Sequence, residues 1–429
     1  MKIMNVKGCF DYMPEDNNIR NYIVETLKEV FEKYGYKSIE TPIINYYDML
    51  SDKYSEENDL LKEIYKLTDQ GERNLGLRYD LTVPFAKFIA VNKNSLSLPF
   101  KRYEIAKVFR DGPVKKGRDR EFTQCDVDVV GIDGRIVEAE LLTLYIEAFE
   151  KLGIDIIIKY NNRKLMKGLI IDVVGNEKYL EEITTIIDKL EKKTKEELIE
   201  ELSNYEVTKK QSEKLLNLFN LSLEELEKKY KDKKNNYIKE GLKELKEIEF
   251  LIKKLKIEDK CKLTLSLARG QNYYTGIVFE VYDKEKIVTS SIGGGGRYDN
   301  MITNYINDGN KYPAVGISFG LSSIYEILKE KEKLNSKSNI DIVILSIDSD
   351  IESLLLGTNL RKLNYRVDID ISDRKLKKKI EKADKEKIKY IIPLGQDEAK
   401  SKKIELKNLE TKEIYELNIN KLEELKKII

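Results

Sequence analysis

Hydrophobic positions recur at helical spacing from Asp16 to Tyr34, where Ile19, Tyr22, Ile23, Leu27, Val30 and Phe31 mark one face and Gly35 ends the pattern. An extended stretch interrupted by Pro42 follows over Tyr36–Tyr47, and Leu75–Val83 predicts a short strand ending in Tyr79-Asp80-Leu81-Thr82. Between Arg102 and Asp128 two apolar-rich runs flank a cationic loop punctuated by Gly112, Pro113 and Gly117, the pattern of a strand, a loop and a returning strand. From roughly Asn162 to Asp259 the texture changes to Lys/Glu-rich helical patterning, with Leu190, Leu198, Leu202, Leu215, Leu216, Leu226, Leu242 and Leu245 supplying apolar faces. Strands are predicted at Thr264–Leu267 and Ile277–Tyr282, a bulged or close-packed strand at Gly293–Gly296, and a strand at Ala314–Gly320 running into a helix through Leu328. After a polar linker, Lys329–Asn339, strands at Ile340–Ile347, Tyr365–Ile371 and Ile388–Leu394 alternate with helices, one of them the cationic Lys375–Ala383. The expected fold is mixed α/β: a core in two parts (1–161 and 260–329), a helical insertion (162–259) and a small α/β domain (339–429).

Composition narrows the chemistry. The 429 residues are 41% hydrophobic and 36% charged, enough for two or three domains with real cores. Lys+Arg number 77 against Asp+Glu 76, so the net charge of +1 leaves any nucleic-acid contact to local patches. Charges stand where a secretory apolar run would lie and no stretch reaches membrane-span length, so a cytoplasmic location and no membrane partner are expected. Cys9, Cys125 and Cys261 are far apart, which points to neither a disulfide framework nor a zinc site, and no prosthetic group is signalled. The chain has no histidine, which removes the commonest general base and imidazole metal ligation. Phosphoryl and nucleotidyl transfers fit that restriction, because they depend on positioning and charge stabilisation.

The Arg102–Asp128 hairpin carries Arg110 at the end of its first strand, cations in its loop, and Gln124, Asp126 and Asp128 on its return. Guanidinium groups grip phosphate oxygens bidentately, and Asp or Gln holds an ammonium, so the pattern suits a ligand with both groups, such as an aminoacyl adenylate. A surface hairpin with solvated charges is the alternative for this segment alone.

Three segments carry a family resemblance: Leu77-Arg78-Tyr79-Asp80-Leu81-Thr82, the Arg110–Asp128 hairpin and Arg269-Gly270-Gln271-Asn272-Tyr273-Tyr274-Thr275-Gly276. Together they resemble the histidyl-tRNA synthetases, a class II aminoacyl-tRNA synthetase family, over nearly the whole chain. The resemblance implies an antiparallel-sheet catalytic core flanked by helices, a helical insertion and a C-terminal anticodon-binding domain. It makes Gly35–Pro42 motif 1, through which a homodimer forms, and Arg102–Asp128 motif 2. The implied reaction is activation of histidine with ATP and Mg2+ to histidyl-adenylate, then transfer to the 3′-terminal ribose of tRNA(His). Arg110 and Arg269 would act on the α-phosphate, Arg118 on the outer phosphates and Phe122 on adenine. Asp80, Thr82 and Gln124 would take the amino group of histidine, Asp128, Tyr273 and Tyr274 its imidazole, and Tyr298 would lie close to the amino acid.

Two positions depart from that family. Ser323 stands where motif 3 usually has an ATP-binding arginine, and Gln271-Asn272 where Leu-Asp is common. A non-catalytic, histidine-sensing relative of the type that regulates ATP phosphoribosyltransferase is therefore the alternative. The domain at 339–429 and the intact Arg110, Arg269, Tyr273 and Tyr274 argue for the enzyme.

Overall fold

The computed structural model describes residues 3–51, 62–114, 119–270, 273–331 and 338–429. The chain divides into two compact units, residues 1–11 with 20–330, and residues 12–19 with 331–429.

In the larger unit the strands are β1 (Lys37–Ser38), β2 (Ile44–Tyr46), β3 (Lys66–Thr68), β4 (Asn74–Leu77), β5 (Phe100–Phe109), β6 (Glu121–Val130), β7 (Ile156–Asn162), β8 (Cys261–Leu263), β9 (Ile277–Asp283), β10 (Gly293–Arg297) and β11 (Ala314–Gly320). Among the described residues eight of them form one sheet in the order β1-β5-β6-β11-β10-β9-β7-β8, and β2-β4-β3 form a small antiparallel sheet. The large sheet is antiparallel except at its margins, where β1 runs parallel to β5 and β8 to β7. Alternation along β6 decides which side is which: Cys125, Val127 and Val129 are buried on one face, whereas Phe122, Gln124, Asp126 and Asp128 look out on the other. Helices cover the apolar face. Phe31, on the Pro14–Lys33 helix, and Tyr145 and Phe149, on the Ile136–Lys151 helix, pack their rings 5.5, 4.7 and 5.4 Å from Phe319 of β11. Each such ring contributes roughly 1.5–3 kcal/mol of burial.

Two strand expectations fail for local reasons. The strand predicted over Leu75–Val83 stops at Leu77, and a helix runs from Thr82 to Asn92. Asp80 Oδ1 accepts the Val83 N–H (3.0 Å), and Pro84 has no N–H for a ladder, so the first turn is favoured over the strand. At Thr264–Leu267 the strand lies three residues earlier, at β8. Here the Asn161 amide donates to the carbonyls of Leu265 (2.6 Å) and Leu267 (2.9 Å), which curls the segment across β7.

Helices fill most of the stretch between β7 and β8, from Arg163–Val174 to Asn236–Leu255. Capping boxes open three of them, Thr194 with Glu197, Thr208 with Gln211 and Ser222 with Glu225.

The second unit carries β12 (Ile342–Ser346), β13 (Val367–Asp370), β14 (Tyr390–Leu394), β15 (Lys403–Asn408) and β16 (Ile414–Asn418) in the order β13-β12-β14-β15-β16. The cationic helix spans Leu376–Lys385, and its Lys379 is buried, with Nζ donating to the carbonyls of Ser346 (2.6 Å) and Asp370 (3.0 Å).

Candidate active site

The polar face of the large sheet floors a pocket of about 410 Å³. It is lined by Asp80, Thr82, Arg110, Phe122, Gln124, Asp128, Arg269, Tyr273, Tyr274 and Tyr298, so the structure gathers these ten sequence-predicted residues from segments almost 220 positions apart. Arg118, like Gln271 and Asn272, lies outside the described residues.

Glycine makes room for the charged groups. Arg269 lies so close over Gly294 that a Cβ there would overlap its guanidinium, and one on Gly316 would overlap the Asp128 carboxylate. The run Gly293–Gly296 is thus a close-packed strand, as its sequence predicts: a side chain of the site crowds Gly294, and backbone carbonyls of Gly316 and Ile277 crowd Gly295 and Gly296. Glu280 on β9 holds the guanidinium, with Arg269 Nη1 3.1 Å from Oε1, and the Tyr282 hydroxyl bonds the same carboxylate. Burial opposes the Arg269 charge, but facing Tyr274 and Glu280 more than offset it, so the group stays cationic. Arg110 donates to the Tyr79 carbonyl (3.2 Å), and its guanidinium lies 4.9 Å over the Phe122 ring. The ring proposed for adenine is therefore already a stacking surface.

Beneath the pocket two arginines alternate with two carboxylates, all buried. Arg78 reaches Glu104 (3.0 Å), Glu104 lies 3.6 Å from Arg102, and Arg102 meets Asp128 Oδ2 at 2.6 Å. Arg102 also sits 4.3 Å over Phe85, and Thr41, just before Pro42, donates its N–H to Glu104 (2.9 Å). The Tyr298 hydroxyl donates to Asp128 Oδ1 (2.5 Å). Both oxygens of Asp128 thus have protein partners. A carboxylate has about four acceptor sites, so Asp128 can still accept a further donor.

Of the pocket's amide and carboxylate oxygens among the described residues, Asp128 Oδ2 has its ion pair to Arg102, whereas Asp80 Oδ2 and Gln124 Oε1 have neither a hydrogen bond nor an ion pair. Both are buried on the pocket wall, where an unpaired acceptor costs about 1–3 kcal/mol. Gln124 is oriented by its amide, which donates to Ser318 Oγ (3.1 Å). Burial raises Asp80 to about 6, against the pull of the Val83 N–H and Arg110.

Asp126, named with Gln124 and Asp128 on the returning strand but given no role by the family resemblance, lines the same pocket between them. Burial lifts it to about 8, against the attraction of Arg102 and with Asp128 adding repulsion. Period-two alternation along β6 was the available signal, since residues 124, 126 and 128 must share one face. Glu280 was missed for a different reason: its link to Arg269 is a tertiary contact that local sequence does not specify.

The comparisons with known proteins agree with this geometry. The histidyl-tRNA synthetase family model matches residues 8–324, and an anticodon-binding domain model matches residues 341–427. Histidine–tRNA ligase 2 of Shouchella clausii is 43% identical over 410 residues, covering 95% of this chain and 96% of the relative. Histidine–tRNA ligase of Cytophaga hutchinsonii is 36% identical over 451 residues, covering 97% of each. The crystal structure of histidyl-tRNA synthetase from Nostoc sp. PCC 7120 superposes with a TM-score of 0.85 at 29% identity over the whole of both chains. With arginines and unpaired acceptors lining one pocket on a largely antiparallel sheet, and matches of this extent on both sides of residue 330, the chain belongs to the histidyl-tRNA synthetase family.

Proposed function

We propose that the chain activates histidine with ATP and transfers it to the 3′-terminal ribose of tRNA(His). The observation that carries this reading is the coexistence, in one pocket, of two arginines and two buried, unpartnered acceptors. A histidine carboxylate oxygen attacks the α-phosphorus, and the bond to the departing pyrophosphate breaks. Arg110 and Arg269 stabilise the charge that gathers on the phosphorus oxygens. Asp80 and Gln124 receive the ammonium, with Thr82 beside them, and Tyr273, Tyr274, Tyr298 and Asp128 enclose the imidazole. A site with fixed polar partners rejects isosteric side chains because its own groups would be left unpaired. Phe122 takes the adenine, and Arg118 the outer phosphates. Mg2+ arrives with ATP, held mainly by substrate phosphates.

The finer organisation follows the same reading. A core of 1–161 and 260–329 performs the chemistry, 162–259 is the insertion, and 339–429 reads the anticodon. The enzyme works in the cytoplasm as a homodimer through the motif 1 region. Support for the dimer comes from Ile43, Ile44, Tyr46 and Leu67, which expose apolar surface on and beside the small sheet.

The test is ATP–pyrophosphate exchange with Mg2+, run with histidine and with the other amino acids. Exchange specific to histidine is expected. Histidine binding without exchange would overturn the catalytic reading in favour of a sensor.

A further inference from the structure

The floor of the pocket does not end at the pocket. Reading the register crosswise, Asp126 pairs with Ser318, Ser318 with Gly294, Gly294 with Glu280, Glu280 with Lys159, and Lys159 with Lys262. Cross-strand partners present their side chains on one face, so a single row runs from the carboxylates of β6 to two lysines on the last two strands. At about 4.8 Å per strand, Lys262 lies roughly 10 Å beyond Glu280, at the open edge of the sheet.

A groove of about 690 Å³ occupies that end of the row. Five lysines line it, Lys159, Lys192, Lys262, Lys284 and Lys286, beside Tyr282. Its acids are engaged. Asp188 accepts the Ala268 N–H (2.8 Å), Asp283 accepts the N–H groups of Glu285 (3.1 Å) and Ile287 (2.8 Å), and Glu191 pairs with Lys159. Lys284 reaches Asp155 at 3.4 Å, while Lys192, Lys262 and Lys286 are exposed and form no salt bridge among the described residues.

We propose that this groove is the track along which the phosphate backbone of the tRNA acceptor end reaches the adenylate. The inference rests on the aminoacylation reading above. A chain whose net charge is only +1 must draw a polyanion by local clusters, and this cluster shares a floor with the pocket where the terminal ribose has to react.

The test compares the full-length chain with a Lys192→Ala, Lys262→Ala, Lys286→Ala variant in two assays. Histidine-dependent ATP–pyrophosphate exchange is expected to be unchanged, while KM for tRNA rises about tenfold. The slope of log kcat/KM against log salt should fall by about 2, at roughly 0.7 per phosphate contact on a single strand. An unchanged KM and slope with exchange intact would overturn the track and leave a solvated lysine face. Weaker inhibition by added pyrophosphate, with the tRNA KM unmoved, would overturn it in favour of a small-anion site. Absence of exchange in the unmodified chain would instead defeat the aminoacylation reading itself. A Lys192→Glu, Lys286→Glu variant, altered only outside the strands, should raise KM further.

Discussion

Charged side chains crowd both the pocket face of the large sheet and the helical stretch 163–255, but the two regions use them in opposite ways. On the sheet, Arg102, Arg78, Glu104 and Asp128 are buried in one alternating chain, and Asp80 and Gln124 each keep an acceptor unpaired. In the helices, pairs such as Lys164 with Glu240 and Lys246 with Glu227 stay at the surface, while Thr and Ser caps do the ordering. Solvent explains the difference. Water screens the surface pairs, leaving about 0–1 kcal/mol each, whereas a buried charge deprived of its partner costs about 3–5 kcal/mol. The sheet face is therefore built at a cost in stability, and the helical region is not.

The comparison breaks first at Arg269. On the proposed role at the α-phosphate, Arg269→Ala is expected to lower histidine-dependent exchange by about 10²–10³-fold with the urea midpoint little changed. A large stability loss with exchange retained per folded molecule would make Arg269 a packing residue. Arg102→Met should do the reverse, destabilising by about 3–5 kcal/mol in urea titrations, since it leaves Asp128 in the interior without its cation while Glu104 keeps Arg78.

A smaller effect separates the regions by pH. Asp126 titrates at about 8 when folded, against an ordinary value of 3.8, and Asp80 at about 6. Between the ordinary and the folded values the folded chain binds more protons than the unfolded one. The stability from these groups is thus fully present below about pH 4 and is lost as pH rises toward 8. Asp126→Asn should flatten the fall in urea midpoint between pH 6 and 8; an unaltered slope would mean Asp126 is ionised in the folded protein. The smallest effect belongs to the helices, where Thr208→Ala should cost about 1 kcal/mol by calorimetry and leave exchange untouched.

Much of this was legible in the chain. The 3.6-residue period over Asp16–Tyr34 marks a helix that the structure has at Pro14–Lys33, and the hairpin of β5 and β6 lies where two apolar runs flank a cationic loop. Ten of the residues picked out by resemblance meet in one pocket. Errors arose where a tertiary partner outweighed local pattern. Asp80 turned an apolar run into a helix start, and Asn161 pulled Thr264–Leu267 out of a strand. The cationic pattern of Lys375–Ala383 likewise gives no sign that Lys379 is buried against two backbone carbonyls.

The sequence alone determined the alternation of elements, the exclusion of imidazole side-chain chemistry and which two arginines meet in the pocket, because period, composition and motif are local properties. Only the tertiary structure decided which acids stay unpaired, why Gly294 and Gly316 must lack a side chain, and that Lys159 and Lys262 continue the floor beneath Asp126. Those facts depend on strand register and on distances between residues far apart in the chain, and burial, which sets the free energy of a charge, exists only once the strands have paired.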